Sequence, residues 1–226
     1  MRTDSSLPME MSDQPASALL RSATQTAHEN AEGSAYIGRL MSGSLDLHAW
    51  QLLLEQLEYV YRALETVANN MRDTDQCTEL LYAELDRTEF IVRDLAALQA
   101  RTGQAPIGML TSTREYVDRI LSTRNDSVRY IAHHYTRYLG DLSGGQIMRV
   151  KFSEHYGLLP EESSFFVFEH IPAGPRFKGR YRELLDGLEL DADDRERLVA
   201  EANASFIGNQ RIFEELDEIV GERQAA

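Results

Sequence analysis

The sequence predicts an all-α protein of one domain. Apolar residues recur at the spacing of a helix face along almost the whole chain. No segment alternates apolar and polar residues for long enough to make a paired strand; "SFFVF" at 164–168 comes nearest and stands alone. No shift of composition marks a linker, and the two-proline stretch "EHIPAGPR" at 169–176 reads as a connection inside the domain.

The elements follow in order. After Pro15, the residues Leu19, Leu20, Ala23, Ala27 and Ala31 form a short stripe, and His28 lies within the same predicted helix. Trp50, Leu53, Leu54, Leu57, Tyr61, Leu64, Ala68 and Met71 predict one long amphipathic helix, with Asp46 placed to cap its start. Phe90, Ile91, Leu95 and Leu98 predict a further helix, and Tyr116, Val117, Ile120 and Leu121 another. Val128, Ile131, Ala132, Tyr135, Tyr138 and Leu139 run the next one straight into "LSGGQ" at 142–146, which therefore falls inside or at the end of a helix. Tyr181, Leu184, Leu185 and Leu188 mark one more. Leu198, Ala202, Phe206, Phe213, Leu216 and Val220 mark the last, which Asp191 can cap.

With 226 residues, 42% of them apolar, the chain can bury one substantial core. Residues 1–15 read as a polar arm, 16–220 as the helical domain and 221–226 as a short polar end. A formal net charge of −14 argues against nucleic acid as the main partner, because phosphate binding shows as clustered basic excess. The single cysteine, Cys77, excludes an internal disulfide and a Cys-x-x-Cys motif. No run approaches the roughly 20 apolar residues that span a bilayer, so no membrane anchor and a reducing, cytoplasmic location are expected.

In ATP-driven transporters "LSGGQ" contacts nucleotide, but such a site needs a G-x-x-x-x-G-K-[ST] phosphate cradle elsewhere. The only two lysines, Lys151 and Lys178, precede Phe152 and Gly179, so no cradle exists. Gly140, Gly144 and Gly145 each cost a helix about 1 kcal/mol relative to alanine. Gly140 and Gly144 lie four apart on one face, where bare backbone admits either a neighbouring helix or a flat ligand; a kink at Gly144-Gly145 is the other reading. His28, beside Ala27 and Ala31, is the candidate anchor on the far side of such a ligand. Glu32, one turn on, can restrain its ring, although the same pair reads equally as a surface His–Glu contact.

The segments "ATQTAHENAE" at 23–32 and "AHHYTRYLGDLSGGQ" at 132–146 resemble the two signature segments of haem oxygenases. The second is the more specific, and the resemblance extends from about residue 16 to about residue 220 through "YVYRALE" at 59–65, "FKGRYR" at 177–182 and "FIGNQRIFEEL" at 206–216. It implies a single helical domain that sandwiches haem b between a proximal helix and a kinked distal helix. It further implies His28 as iron ligand with Glu32 as its partner, and Gly140, Ser143, Gly144 and Gly145 as distal backbone over the porphyrin. Asp141 is implied as the distal carboxylate that orders proton delivery, with Tyr61, Tyr135 and Arg137 in the same network. Arg21, Lys178 and Arg182 match propionate-binding positions, while Gln25 stands where many relatives carry a basic residue. Phe206 and Asn209 match positions lining the distal pocket, and read from the residues alone they serve equally as a core aromatic and a buried amide. His133 matches a structural histidine; His48, His134, His155 and His170 read as surface or hydrogen-bonded residues.

The activity so implied is oxidative opening of haem at the alpha-meso carbon, with O2 and external electrons, to biliverdin, CO and Fe(II). No flavin or nicotinamide fingerprint is present, so an electron donor such as ferredoxin or a flavoprotein reductase is expected. Arg114, Arg119, Arg149, Lys151 and Arg180 are its candidate docking face. Two other readings remain open at this level: a haem-storage module on the same fold, and a helical relative acting on a small non-haem substrate.

Overall fold

A computed structural model describes residues 14–74, 77–171 and 174–225 and shows helices joined by short turns, with no strand among the described residues. Most of the expected N-terminal arm, residues 1–13, lies outside the described residues. In chain order the helices are α1 (Ala16–Ala23), α2 (Gln25–Glu32), α3 (Ala35–Met41), α4 (Leu47–Asp73), α5 (Thr88–Thr102), α6 (Thr111–Ser122), α7 (Ser127–Gly140), α8 (Gln146–Tyr156), α9 (Gly174–Asp186) and α10 (Ala192–Ala225).

The stripe over residues 19–31 folds as two helices rather than one. Thr24 interrupts it, with φ −104° and ψ 0°, and its hydroxyl donates to the Leu20 carbonyl at 2.7 Å. A threonine hydroxyl bonded to its own turn competes with helix propagation. The stretch "SFFVF" is not a strand either. Ser164–Phe166 is a single 3-10 turn whose Ser164 and Phe165 amides donate to the Asp94 carboxylate, at 2.9 and 2.7 Å. The polar end expected at 221–226 continues α10 as far as Ala225.

Local caps work where the sequence supplies them. Asp46 accepts from the Ala49 amide at 3.0 Å, and Asp191 accepts from the Asp194 amide at 2.8 Å. Where a helix begins on a residue with no acceptor, a distant carboxylate takes over. The start of α5, at Arg87 and Thr88, donates both amides to Glu65 of α4 at 2.5 and 2.7 Å. The start of α6 donates the Ser112 amide to Glu215 of α10 at 2.8 Å. Buried Glu55 and Gln56 of α4 receive the Gly108 and Leu110 amides of the loop between, at 2.7 and 3.0 Å. Each bond answers an orphan amide and fixes one helix against another.

Two apolar cores result. The larger surrounds α4, with Trp50, Leu57 and Leu64 against Ile91, Ile120, Phe152 and Phe166. The smaller joins Leu20, Leu80, Leu185, Leu198 and Ala202. Helix α7 belongs to both, placing Tyr130 and Tyr138 in the first and Ile131, Ala132 and Leu139 in the second. It is the seam of the fold, and its C-terminal end carries the candidate site.

His134 on α7 is buried, shares a 2.8 Å hydrogen bond with the Tyr181 hydroxyl of α9, and stacks on that ring. Burial, aided by Arg72, pushes its pKa down to about 3 from 6.5. The folded state therefore keeps the ring neutral while the unfolded chain takes up a proton below pH 6.5, so stability falls as pH drops from 6.5 towards 3. The loss should reach about 1.4 kcal/mol per pH unit for this one group. Urea unfolding at pH 7 and pH 5 should show that loss in the wild type and a smaller one in His134→Phe.

Candidate functional site

At the end of α7 the helix widens. Asp141–Gly145 forms a π-helical segment before α8 resumes at Gln146, and no proline is involved. Wide turns of this kind bend a helix and expose its backbone. A Cβ added at Gly140 or at Gly144 would meet nothing within 4 Å, so both open onto free space. Gly145 differs: it is buried, and an added Cβ would contact Phe166 at 3.6 Å and the Asp141 Cβ at 3.7 Å. Gly145 therefore faces the core, where a Cβ would make only ordinary contacts. Gln146 ties the bend down by donating to the Phe166 carbonyl at 2.8 Å.

Asp141 is buried beneath this segment and accepts a short hydrogen bond from the Tyr61 hydroxyl of α4. Arg137, one turn earlier on α7, donates from Nη2 to Tyr61 at 2.9 Å and from Nη1 to Asn209 Oδ1 at 2.7 Å; Nη2 stands 3.9 Å from Asp141 Oδ1. Burial raises the Asp141 pKa despite Arg137, and pushes the Tyr61 phenol well above its usual range. Asn209 reaches this group from α10, which also donates its side-chain amide to the Ser205 carbonyl at 2.8 Å.

His28 lies on α2, with its side chain 49% exposed and Nε2 3.4 Å from Glu32 Oε1. The edge of Phe206 packs on its ring at 5.3 Å. The structure sets Phe206 against His28 of α2 and Asn209, one turn further along α10, against Arg137 of α7. Tyr135 lies near Arg182 and Arg21. Lys178 of α9 spans to the distal segment, donating to Ser143 Oγ at 2.8 Å and to the Leu142 carbonyl at 3.3 Å. Gln25 donates to Glu29 at 2.9 Å.

Several polar residues of this region read as core in the sequence. Tyr116 lies in an apolar stripe, and its hydroxyl meets Ser205 at 2.6 Å. Thr136 meets the same serine at 2.6 Å. Buried Glu201 accepts from Arg119 at 2.7 Å, Arg129 at 2.9 Å and His133 Nε2 at 2.8 Å. Burial works against this carboxyl, but those three donors outweigh it and hold its pKa far below the usual range. Arg119 is thus committed to Glu201, Lys151 pairs with Glu154 and Arg180 with Glu183, while Arg114 and Arg149 are exposed. The only signal for the Glu201 group was polar residues recurring on the apolar face of a helix.

The residues gathered here suit a flat dianionic macrocycle ligated from one side. They offer bare backbone over open space at Gly140 and Gly144, a half-exposed imidazole on α2, and the cations Arg21, Lys178 and Arg182. Among the described residues no three His, Cys, Asp or Glu side chains converge to hold a bare metal ion. Iron inside a porphyrin needs only an axial ligand from the protein. Two surface hollows, of about 320 Å³ beside Cys77 and Leu184 and about 140 Å³ beside His48 and Arg223, lie away from all these residues.

This arrangement defines an all-helical protein with a histidine-bearing helix and a glycine-bent one, both joined to its longest helix, α10. Residues 14–215 match the family model described as heme oxygenase. Rat heme oxygenase 2 is 33% identical over 207 residues, which cover 89% of this chain and 65% of the rat protein's length. Heme oxygenase of Guillardia theta is 33% identical over 201 residues, covering 88% of this chain and 84% of that one. The crystal structure of heme oxygenase-1 from Synechocystis in complex with heme superposes with a TM-score of 0.86 at 28% identity, covering 94% of this chain and 96% of that one. The heme oxygenase structure from Leptospira interrogans gives 0.80 at 31% identity, with 89% and 100% coverage. The chain belongs to the heme oxygenase family.

Because Gly144 faces open space, Gly144→Leu should leave thermal stability unchanged or raised, leucine being the better helix former. It should weaken hemin binding by roughly tenfold or more, read by absorbance titration, because the added side chain enters the cleft.

Proposed function

We propose that this chain opens haem oxidatively, consuming O2 and externally supplied electrons and yielding biliverdin, CO and Fe(II), with cleavage at the alpha-meso carbon. The observation that carries the reading is a buried carboxylate, Asp141, held by Tyr61 and Arg137 directly beside the bare backbone of Gly140 and Gly144. When bound, the haem iron supplies the site for oxygen activation, which the protein itself lacks.

The roles of the residues follow from their positions. His28 ligates the iron. Its ring is half exposed and packed on one side only, so it can turn to present one nitrogen to the cleft and the other to Glu32. Arg21, Lys178 and Arg182, with the Tyr135 hydroxyl, hold the two propionates and so fix which edge of the macrocycle lies under the distal segment. Lys178, which bonds Ser143 and the Leu142 carbonyl, exchanges those partners for a propionate. The absence of side chains at Gly140 and Gly144 lets the distal segment approach the haem face. Asp141, raised by burial, orders and relays a proton above that face, and Tyr61 and Arg137 keep its carboxylate aimed. A storage protein needs His28 and the rim cations but has no use for this buried carboxylate network, and the network is intact.

Electrons come from a separate acidic donor, a ferredoxin or a flavoprotein reductase, that docks where exposed Arg149 and its neighbour Lys151 project from α8. Among the described residues no helix is long and apolar enough to cross a membrane, and we place the chain in the cytoplasm.

Hemin added to the purified protein, followed by reductant in air with catalase present, should give biliverdin and CO; a stable haem spectrum after ferrous haem and O2 have combined would refute turnover. Asp141→Asn should bind hemin normally and lose turnover by roughly a hundredfold. His28→Ala should lose the histidine-ligated spectrum while keeping its fold, since the side chain is half exposed. Reversing charge at Arg149 and Lys151 together should raise the apparent KM for the donor several-fold at low salt and lose that effect at high salt; an unchanged KM would move the docking face elsewhere.

A further inference from the structure

Helix α1 begins without a cap of its own. Pro15 precedes it and offers no side-chain oxygen, and no acidic residue stands in its first turn. The orphan amide of Ser17 is answered from another helix. Asp186, the last residue of α9, accepts from the Ser17 amide at 2.7 Å with Oδ1 and from the Ser17 hydroxyl at 2.9 Å with Oδ2. A carboxylate at the end of α9 opposes the dipole of its own helix and complements the start of α1, so its placement suits α1.

These two bonds are the only hydrogen bonds between α1 and α9 among the described residues. The remaining contact is apolar, with Ala16 and Leu20 in one cluster with Tyr181 and Leu185, and apolar contact has no directional preference that would stop one helix sliding on the other. The other polar ties lead elsewhere. Arg195 and Asn203 of α10 hold the carbonyls of Gln14 and Ala23, at 2.6 and 3.3 Å, while Tyr181 of α9 meets His134 of α7 at 2.8 Å. None of these sets α1 against α9.

The same two helices carry the cations of the site. Arg21 lies one turn after Ser17; Arg182 and Lys178 lie one and two turns before Asp186, on the face that Asp186 shares. Tyr135 of α7 lies near both Arg21 and Arg182, so the helices run side by side away from the Ser17–Asp186 contact and bring these two cations together. Both Asp186 oxygens are committed to Ser17, which leaves Arg182 to a ligand.

Resting on the haem-oxidising reading above, we propose that Asp186 is a positioning residue for the ligand's carboxylates: its two bonds to Ser17 set the register of α1 against α9, and so the spacing of Arg21 and Arg182 that a dianionic macrocycle requires. When Lys178 leaves Ser143 and the Leu142 carbonyl for the ligand, α9 gives up its hold on the distal segment and depends the more on Asp186. The charge of Asp186 works the other way, since a carboxylate near these cations weakens their attraction for a dianion. Register and charge therefore predict opposite effects of its removal.

Hemin and hemin dimethyl ester, whose propionates are capped, separate the two. Asp186 is exposed and its loss leaves the apolar seam in place, so Asp186→Ala folds. Titrated by absorbance, it should bind hemin about fivefold more weakly than the wild type and the ester with unchanged affinity. Asp186→Asn removes the charge but keeps an oxygen for the Ser17 amide and a donor for its hydroxyl, and should bind hemin at least as tightly as the wild type. Adding Ser17→Ala to Asp186→Ala should weaken hemin binding no further, because both act on one contact. In the cyanide-ligated hemin complex, proton NMR of the haem methyl groups should show a second in-plane orientation, at roughly a tenth of the population or more, in Asp186→Ala but not in Asp186→Asn. Hemin bound by Asp186→Ala as tightly as by Asp186→Asn, in a single orientation, would overturn the proposal. So would equal losses of affinity for hemin and its ester, which would make Asp186 a support of the fold alone. A wild type that binds hemin but never turns it over would instead sink the proposed activity, and the affinities and orientations would still decide on Asp186.

Discussion

The structure depends most on the guanidinium of Arg137. It is a charge taken almost wholly out of water on the seam helix of the fold, and such a group persists only where its donors find acceptors. Tyr61 on α4 and Asn209 on α10 supply them directly, and Asp141, on the bend that follows α7, supplies the compensating charge. The two terminal nitrogens of this one side chain therefore tie three long helices together and place a carboxylate beside the open face of Gly140.

The same logic recurs where helices begin. Arg87 and Leu110 stand at the starts of α5 and α6 and have no oxygen to offer an amide, so Glu65 and Glu215 reach across from α4 and α10. Glu55, Gln56 and Asp94 serve the intervening loops in the same way. These polar residues lie on otherwise apolar helix faces, and each would be costly there without its partner. A fold held by such reciprocal bonds resists sliding of one helix on another, which apolar contact alone permits.

The bend at Asp141–Gly145 joins these constraints to function. Gly140 and Gly144 leave space outside, Gly145 faces Phe166 inside, and Gln146 anchors the segment to the Phe166 carbonyl. Lys178, donating from α9 to Ser143 and Leu142, shows that the rim and the distal segment lie within one side chain's reach. A ligand that takes the rim cations therefore alters what holds the bend.

By itself the sequence determined the helical class, the positions of the long stripes and the local caps at Asp46 and Asp191. These are all properties of near neighbours along the chain, which periodicity and short motifs report. It did not determine the break at Thr24, which depends on one hydroxyl choosing its own turn, nor the 3-10 turn at Ser164–Phe166, which Asp94 imposes from another helix. Phe206 and Asn209 were visible as a pair, but only the crossing of α10 decided that one meets His28 and the other Arg137. Tyr116 read as core and His133 as structural, and Ser205 and Glu201 gave no signal, because a hydrogen bond between positions some 70 to 90 residues apart leaves no periodic trace in the sequence. What the chain encodes locally is which surfaces it can make; which of them meet is settled by the packing of α4, α7 and α10, where buried polar groups of one helix find partners on another.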